Sequence, residues 1–395
     1  MRLLNTSTLN FQEFFEPETP PYSILSHRWA AEEVSYVDFI AGNKRAHAGH
    51  KKVLEACRLA KSQSHKWIWI DTVCIDKTSS AELTEAINSM YQYYADAQIC
   101  FAYLRDVSPG LPTQQTSEAL QGSEWFRRGW TLQELLAPKE VLFLDASWTA
   151  FGSKAQLSAV THRATGVPEW YLHRPDQIPF ASVAARMAWA ARRQTTRSED
   201  VAYSLLGLFN VNMPLLYGER GSRAFFRLQL EIAKSTDDES IFAWTSPSNQ
   251  PCGMFAPSPS AFAAFANVKP LPLDPEDRLP WKWTHKGLEL HLASPLNSSS
   301  TMKMGNTFYD HTKTGDMHKV VTLGCFKSDV EVDMRDAKAV KKVSKGNVIC
   351  IELQRIGTRW KRINAQHVLL AEGFERYTSS FFGSPVTQKV YYVAQ

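Results

Sequence analysis

Polar side chains that follow short apolar runs are the first residues in this chain with the types and spacing for chemistry. Ser26, His27, Arg28 and Trp29 follow Tyr22-Ser-Ile-Leu25. Asp71, Thr72, Cys74 and Asp76 follow Trp67-Ile-Trp-Ile70, and Arg105 and Asp106 follow the run 98–104. In open parallel sheets, ligands bind beyond the carboxyl ends of the strands. These residues are therefore expected to converge on one rim, unless they only cap helices and fix loops. The second signal is Trp125-Phe-Arg-Arg-Gly-Trp130-Thr-Leu-Gln-Glu134. Trp130 and Glu134 have i,i+4 spacing and share a helix face. A carboxylate beside an indole is partly desolvated, which raises its pKa or leaves it poised for a sugar hydroxyl. The same residues also suit a core tryptophan with a glutamate that is solvated or paired to Arg127 or Arg128. Trp29 and Glu33 repeat the spacing in a loop-like stretch.

Other chemistries find less support. His47-x-x-His50 lacks a third ligand nearby, so no metal is expected. Cys74 with His27 and an aspartate has the residue types of a thiol hydrolase, although loop and buried cysteines are usually inert. Neither a P-loop nor Gly-x-Gly-x-x-Gly is present.

The elements that must position these residues alternate between strand and helix over residues 1–150. The apolar runs 22–25, 67–70, 98–104 and 141–144 read as buried parallel strands, covered on both faces. Helices are expected at 49–63, after the capping-box spacing Ser79-Ser-Ala-Glu82, and from Ser123 to Leu136, stopped by Pro138. This order implies an α/β parallel sheet with helices on both faces. Residues 181–235 read as an added helical bundle: 183–191, a segment after the capping-box spacing Thr196-Arg-Ser-Glu199, a short turn from Pro214 to Gly218, and 223–234. Beyond Asp237 the pattern becomes β-rich, with strand-like runs at 287–292, 320–326, 347–353, 367–371 and 389–393, suiting a sandwich or barrel.

With 395 residues the chain suits two or three domains. The expected division is 1–240, with an α/β core at 1–150 and a helical part at 151–240, and then 241–395. Net charge is +4 from 44 basic and 40 acidic residues, with no clustered basic patch, which gives no argument for nucleic acid. No apolar run suggests a membrane span and no secretory leader is apparent. The six cysteines form no Cys-x-x-Cys pair, so a cytoplasmic location with free thiols is expected and the sequons at Asn5 and Asn297 carry little weight.

Five ordered motifs together resemble the heterokaryon-incompatibility (HET) domain of filamentous fungi: Tyr22-Ser-Ile-Leu-Ser-His27-Arg-Trp29, Trp69-Ile-Asp71-Thr-Val-Cys74-Ile-Asp76, Glu85-Ala-Ile-Asn-Ser-Met-Tyr91, Arg128-Gly-Trp-Thr-Leu-Gln-Glu134-Leu-Leu-Ala-Pro138, and Thr195-Thr-Arg-Ser-Glu-Asp200-Val-Ala-Tyr-Ser-Leu-Leu-Gly207 with Met213-Pro-Leu-Leu-Tyr-Gly218. The resemblance covers 1–240; the segment from Ile241 is similar to the β-rich region that often follows this domain. Ala30 stands where the family usually has glycine, and Gly218-Glu-Arg220 where it commonly has Gly-Glu-Gly.

The HET family in turn resembles, remotely, the Toll/interleukin-1 receptor (TIR) domain, which implies a TIR-like, flavodoxin-like sheet. Catalytic TIR domains cleave the nicotinamide–ribose bond of NAD with a glutamate in a helix like that of Trp130 and Glu134. By that resemblance Glu134 would bind ribose hydroxyls and stabilise an oxocarbenium-like transition state. Arg28 would meet the pyrophosphate or ribose, Trp29 would stack on a ring, and Asp71 would shape the loop after the second strand. Ser26, His27 and Trp130 would complete the substrate-binding rim. NAD or a related nucleotide is then substrate, with no cofactor. The implied protein is a cell-death effector of heterokaryon incompatibility or innate immunity that self-associates, with any sensor on a separate chain. The rival is a non-catalytic module that triggers death by self-association alone.

Overall fold

The computed structural model describes residues 1–248, 250–271, 281–285, 287–293, 302–304, 307–309, 317–329, 348–366, 369–371 and 388–393. The chain divides into two compact units: Met1–Pro179 with Arg193–Ala224, and Phe180–Arg192 with Phe225–Gln395.

The first unit is built on a seven-stranded sheet. Its strands are β1 (Arg2–Asn5), β2 (Phe11–Glu13), β3 (Ser23–His27), β4 (Trp67–Ile70), β5 (Ile99–Tyr103), β6 (Val141–Leu144) and β7 (Ala150–Ser153), in the order β2-β1-β4-β3-β5-β6-β7. The four expected strands are the parallel centre, with Ile24 opposite Trp69, Leu25 opposite Phe101 and Ala102 opposite Phe143. Every residue of β3 and β4 is buried, which is why they read as unbroken apolar runs.

An all-parallel sheet is not what forms. The β1–β2 hairpin adds antiparallel to β4, with Leu4 opposite Ile68, and β7 adds antiparallel to β6. Both edges are very short strands. Leu3 and Leu4 are fully buried, while Arg2 sits 2.9 Å from Glu13 across the hairpin. A hairpin of this length has too few residues to register as an alternating pattern.

Helices α1 (Tyr36–Ile40), α2 (Ala48–Ser62), α3 (Asp71–Cys74), α4 (Ser80–Asp96) and α5 (Thr113–Gly122) lie between the central strands. In α2, Val53, Ala56, Cys57 and Ala60 are buried at i, i+3, i+4 and i+7 spacing, an amphipathic stripe. Half of the capping box before α4 forms. Ser79 accepts from the Glu82 amide, but the Glu82 carboxylate turns to Arg2 at 2.7 Å and to the Asp76 amide at 2.8 Å.

The helix expected from Ser123 to Leu136 is broken. A 3₁₀ turn spans Glu124–Arg127, and α6 begins at Thr131 and ends at Leu136. Between them the backbone pairs with residue 194: Gly129 donates to the Gln194 carbonyl at 2.8 Å, and Gln194 donates to the Arg127 carbonyl at 2.6 Å. Gly129 permits this approach, since a Cβ there would lie 2.5 Å from the Thr195 methyl. Gly129→Val is expected to lower stability by about 1–3 kcal/mol through overpacking. An unchanged denaturation midpoint would show that the 193–195 segment yields freely.

After α7 (Ser158–Thr165) and α8 (Glu169–His173), the segment read as one bundle divides between the units. Helix α9 (Val183–Ala190) belongs to the second unit. Its first amides are held by Asp238 at 2.7 Å and Ser240 at 3.0 Å, and nearly all its side chains are buried. Helix α10 (Asp200–Tyr203) belongs to the first unit. Thr196 does not cap it. Glu199 precedes it and instead accepts from the amides of Gly218 and Arg220, at 2.9 and 3.2 Å. No helical turn opens at Pro214: residues 211–216 are irregular, and a turn follows at 217–218. Arg220 has φ of +74°, a conformation that favours glycine, at the position where the resembled motif commonly carries one.

Helix α11 (Gly221–Ser235) matches its expected amphipathic span closely. The second unit is β-rich, as expected. Among the described residues its ten-stranded sheet is antiparallel except for one parallel pairing at Trp360 and Val393. Four of the five expected runs appear at Gly287–Ala293, His318–Lys327, Val348–Ile356 and Gln388–Val393. Of the fifth, Leu369–Ala371 is strand, and the residues 367–368 expected to open it lie outside those described. Short strands at Val268–Pro270, Lys282–Thr284, Met302–Met304, Thr307–Tyr309 and Arg359–Ile363 carry no comparable apolar run. In this unit the buried Arg362 donates to the carbonyls of Phe242 and Trp244, at 2.9 and 2.6 Å, and stacks on the Trp244 ring.

All six cysteines are free. Asn297 lies outside the described residues. The Asn5 side chain accepts from the amides of Ser7 and Thr8 at 3.0 Å, an Asx turn. No helix among the described residues is long and apolar enough to cross a membrane.

Candidate active site

The parallel strands follow sequence order 2-1-3-4, so the chain changes its direction of winding beside β3, the point at which open sheets leave a crevice. A cleft of about 680 Å³ opens at this rim, inside the first unit. His27, Arg28, Trp29, Asp71, Trp130 and Glu134 all line it. Ser26 lies beneath, fully buried at the end of β3.

Glu134 is 7% exposed. Helix α6 packs on β3 and α4 and points this side chain at Ser26, whose hydroxyl donates to the carboxylate. The Ser26 oxygen in turn accepts from the Trp125 indole N–H at 2.8 Å. Tyr94, whose hydroxyl donates to the Leu25 carbonyl at 3.2 Å, also lies beside the carboxylate, and burial keeps its proton in place. At the other end of α6 the buried Lys154 donates to the carbonyls of Leu135 and Pro138, at 3.2 and 2.5 Å, which satisfies the helix terminus. Burial pushes the Glu134 carboxyl up to about 7; the Ser26 hydroxyl, Arg128 and Arg193 oppose that rise, while Asp71 adds to it. The carboxyl is therefore poised between its two forms near neutral pH. Its environment is neither of the bland alternatives: it is not solvated, and neither Arg127 nor Arg128 makes an ion pair with it among the described residues.

Asp71 opens α3 directly after β4. Its Oδ2 accepts from the Trp29 indole N–H at 2.7 Å and lies 3.9 Å from Lys77 Nζ. Burial would raise this carboxyl, but Lys77, His27 and the indole hold it below its usual range. His27 is buried with both ring nitrogens lacking a hydrogen-bond partner among the described residues. Burial and then Lys52 bring its pKa down to about 3, so the ring is neutral at pH 7, with Nε2 3.8 Å from Asp71 Oδ1.

The structure revises several expected roles. Arg28 pairs with Glu124, which restricts it as a phosphate ligand. One face of Trp29 carries the Lys77 ammonium 3.6 Å from the ring centroid, so that face is not open for stacking. Asp106 caps the 3₁₀ turn, accepting from Ser123 Oγ and the Glu124 amide at 2.8 Å. Asp76 holds Thr78. Neither aspartate, nor Arg105, lines the cleft. The Cys74 thiol is buried and pushed up to about 12, and its sulfur accepts from the Ile70 amide. It is a core thiol and no nucleophile. No group of His, Cys, Asp and Glu suited to a metal occurs among the described residues. His50 stacks on Phe39 instead.

Residues 194–217 contribute a wall that strand-end reasoning misses: Gln194, Arg197, Asp200 and Tyr217 line the cleft. Asp200 accepts from the Trp130 indole at 3.2 Å and from the Tyr217 hydroxyl at 3.0 Å. Arg193, just before this wall, donates to the Arg128 carbonyl at 2.8 Å and to Thr131 Oγ1 at 2.9 Å. A glycine between two tryptophans, at 129, is the local signal that another strand approaches α6, but it does not say which one.

Residues 22–115 match the family model described as heterokaryon incompatibility protein (HET). The vegetative incompatibility protein HET-E-1 of Podospora anserina is 44% identical over 223 residues, which cover 54% of this chain and 16% of that protein. The chain thus spans well under two thirds of this relative's length. No solved structure matches it. The family model covers β3 to β5, with Ser26 and His27 at the end of β3 and Asp71 at the start of α3; three of the five ordered motifs fall inside it, and those at 128–138 and 195–218 lie beyond it. Residues 22–115 thus carry the match to the heterokaryon-incompatibility domain, and the chain is similar beyond them to a vegetative incompatibility protein.

Proposed function

We propose that the chain acts in fungal heterokaryon incompatibility and that its first unit binds NAD and hydrolyses the nicotinamide–ribose bond. The observation that carries this reading is the Glu134 carboxylate, buried in the lining of a cleft that also holds Arg127 and Arg128, and oriented by the Ser26–Trp125 relay. The strand-end polar residues gathered around a helical glutamate, which the remote resemblance to TIR domains would call for, support it. In the reaction the C–N bond at the anomeric carbon breaks and its electron pair leaves with nicotinamide. Water adds to the same carbon, giving ADP-ribose and a proton. Ionised Glu134 stabilises positive charge as it builds on the ribose. Arg127 and Arg128, which have no carboxylate partner among the described residues, suit the diphosphate better than the paired Arg28.

Purified protein is incubated with NAD at high concentration under crowded conditions, and nicotinamide is quantified for the parent and Glu134→Gln. Release that persists in the variant removes Glu134 from the reaction. Absence of release from the parent, with concentration-dependent assembly and no thermal shift on adding NAD, would favour the self-associating module.

A pH profile adds a finer check. Ionised Glu134 is the active form, so the rate is expected to rise through about pH 7. Arg193 helps hold that carboxyl down, so Arg193→Gln is expected to move the midpoint to higher pH, by up to about one unit. A shift toward acid would contradict the assignment.

A further inference from the structure

We propose that Trp130, Tyr217, Arg197 and Asp200 form a second subsite in the cleft, which takes the neutral purine ring of a dinucleotide. The proposal rests on the reading of the cleft as an NAD site and adds the part of the ligand that does not react. Asp200 is 9% exposed and stands at the start of α10. Among the described residues no cation lies within ion-pair distance of it. Its two oxygens instead hold two aromatic side chains from separate segments, the Trp130 indole through Oδ2 and the Tyr217 hydroxyl through Oδ1.

A buried carboxylate without an ion-pair partner is costly. Here it fixes the orientation of two half-buried rings that face the cleft. The Arg197 guanidinium lies 4.3 Å over the Tyr217 ring and lines the same cleft. Aromatic faces and arginine planes held in this way are the surfaces on which nucleobases stack. The Arg197 charge disfavours a cationic pyridinium and suits a neutral purine. Arg127 and Arg128 line the same cleft and suit the diphosphate that joins the two halves of the ligand. A volume of about 680 Å³ accommodates more than a single nucleoside.

ADP tests this subsite without the reaction, because it carries the purine and diphosphate but no nicotinamide. Calorimetric titration of the full chain with ADP and with ribose 5-phosphate is compared for the parent, Tyr217→Leu, Tyr217→Phe and Glu134→Gln. Thermal midpoints confirm that each variant is folded. ADP is expected to bind the parent and Glu134→Gln alike, to lose about tenfold or more in Tyr217→Leu, and to lose much less in Tyr217→Phe, which keeps the ring. Ribose 5-phosphate is expected to bind more weakly than ADP. The proposal is overturned if ADP does not bind, if Tyr217→Leu binds as the parent does, if the Leu and Phe variants weaken equally, or if the base-free sugar phosphate matches ADP. A failed nicotinamide assay alongside ring-dependent ADP binding would sink the hydrolase reading and leave the subsite standing.

Discussion

Glu134→Gln is expected to lose nicotinamide release by about a hundredfold or more and, at pH 8, to be more stable than the parent. Both effects have one cause. The carboxyl is moved from its usual 4.5 up to about 7 by burial. Below pH 4.5 it is protonated in both the folded and unfolded chain and contributes nothing unfavourable. As pH rises from 4.5 through 7, the unfolded chain releases this proton more readily than the folded one, and folded stability falls. Above pH 7 the accumulated penalty is about 3 kcal/mol for a shift of this size. Glutamine does not ionise, yet it still offers Ser26 an acceptor. Urea denaturation at pH 5 and pH 8 reads the difference: the variant should gain on the parent only at the higher pH. Equal midpoints at both values would mean that Glu134 is not held in the environment described. Stability that rises when a buried, poised carboxylate is removed is the usual trade between a poised site and a relaxed one.

Trp125→Ala is expected to destabilise the first unit by about 3–5 kcal/mol. The indole is 1% exposed and meets Phe126 and Phe143 edge-on, with centroids 5.0 and 6.0 Å away. Trp125→Phe separates packing from chemistry. It keeps most of the buried surface but removes the N–H that Ser26 accepts. The expected stability cost is about 1–2 kcal/mol. Activity should fall further than that loss of folded protein explains, because Ser26 then loses one of the two hydrogen bonds that orient it beside Glu134. If Trp125→Phe kept full turnover per folded molecule, the relay would be a packing feature with no part in the reaction.

Much of the first unit was legible from local pattern because its central strands are covered on both faces. Burial of every residue in 23–27 and 67–70 leaves an apolar run that needs no partner to be recognised. Helices α2 and α4 were legible for the complementary reason: one buried stripe recurs at helical spacing. The edge hairpin and β7 were not, since strands of three or four residues carry little periodicity. The break before α6 escaped the same reasoning. Apart from Gly129, residues 123–136 have helix-compatible types, and the pairing of that glycine with Gln194 interrupts them.

At the site, strand-end logic found His27, Arg28, Trp29 and Asp71, and helical spacing found Trp130 and Glu134. Residue type and order along the chain determine that these groups reach one rim, because the carboxyl ends of parallel strands all open to the same side. Tertiary structure alone decided their states. Arg28 is taken up by Glu124, one face of Trp29 by Lys77, and Asp106 by a turn, while Glu134 is sealed against Ser26 and the wall from 194 to 217 is brought in. Partner choice, burial and the pKa that follows depend on distances between segments far apart in the chain, and no local pattern encodes those distances.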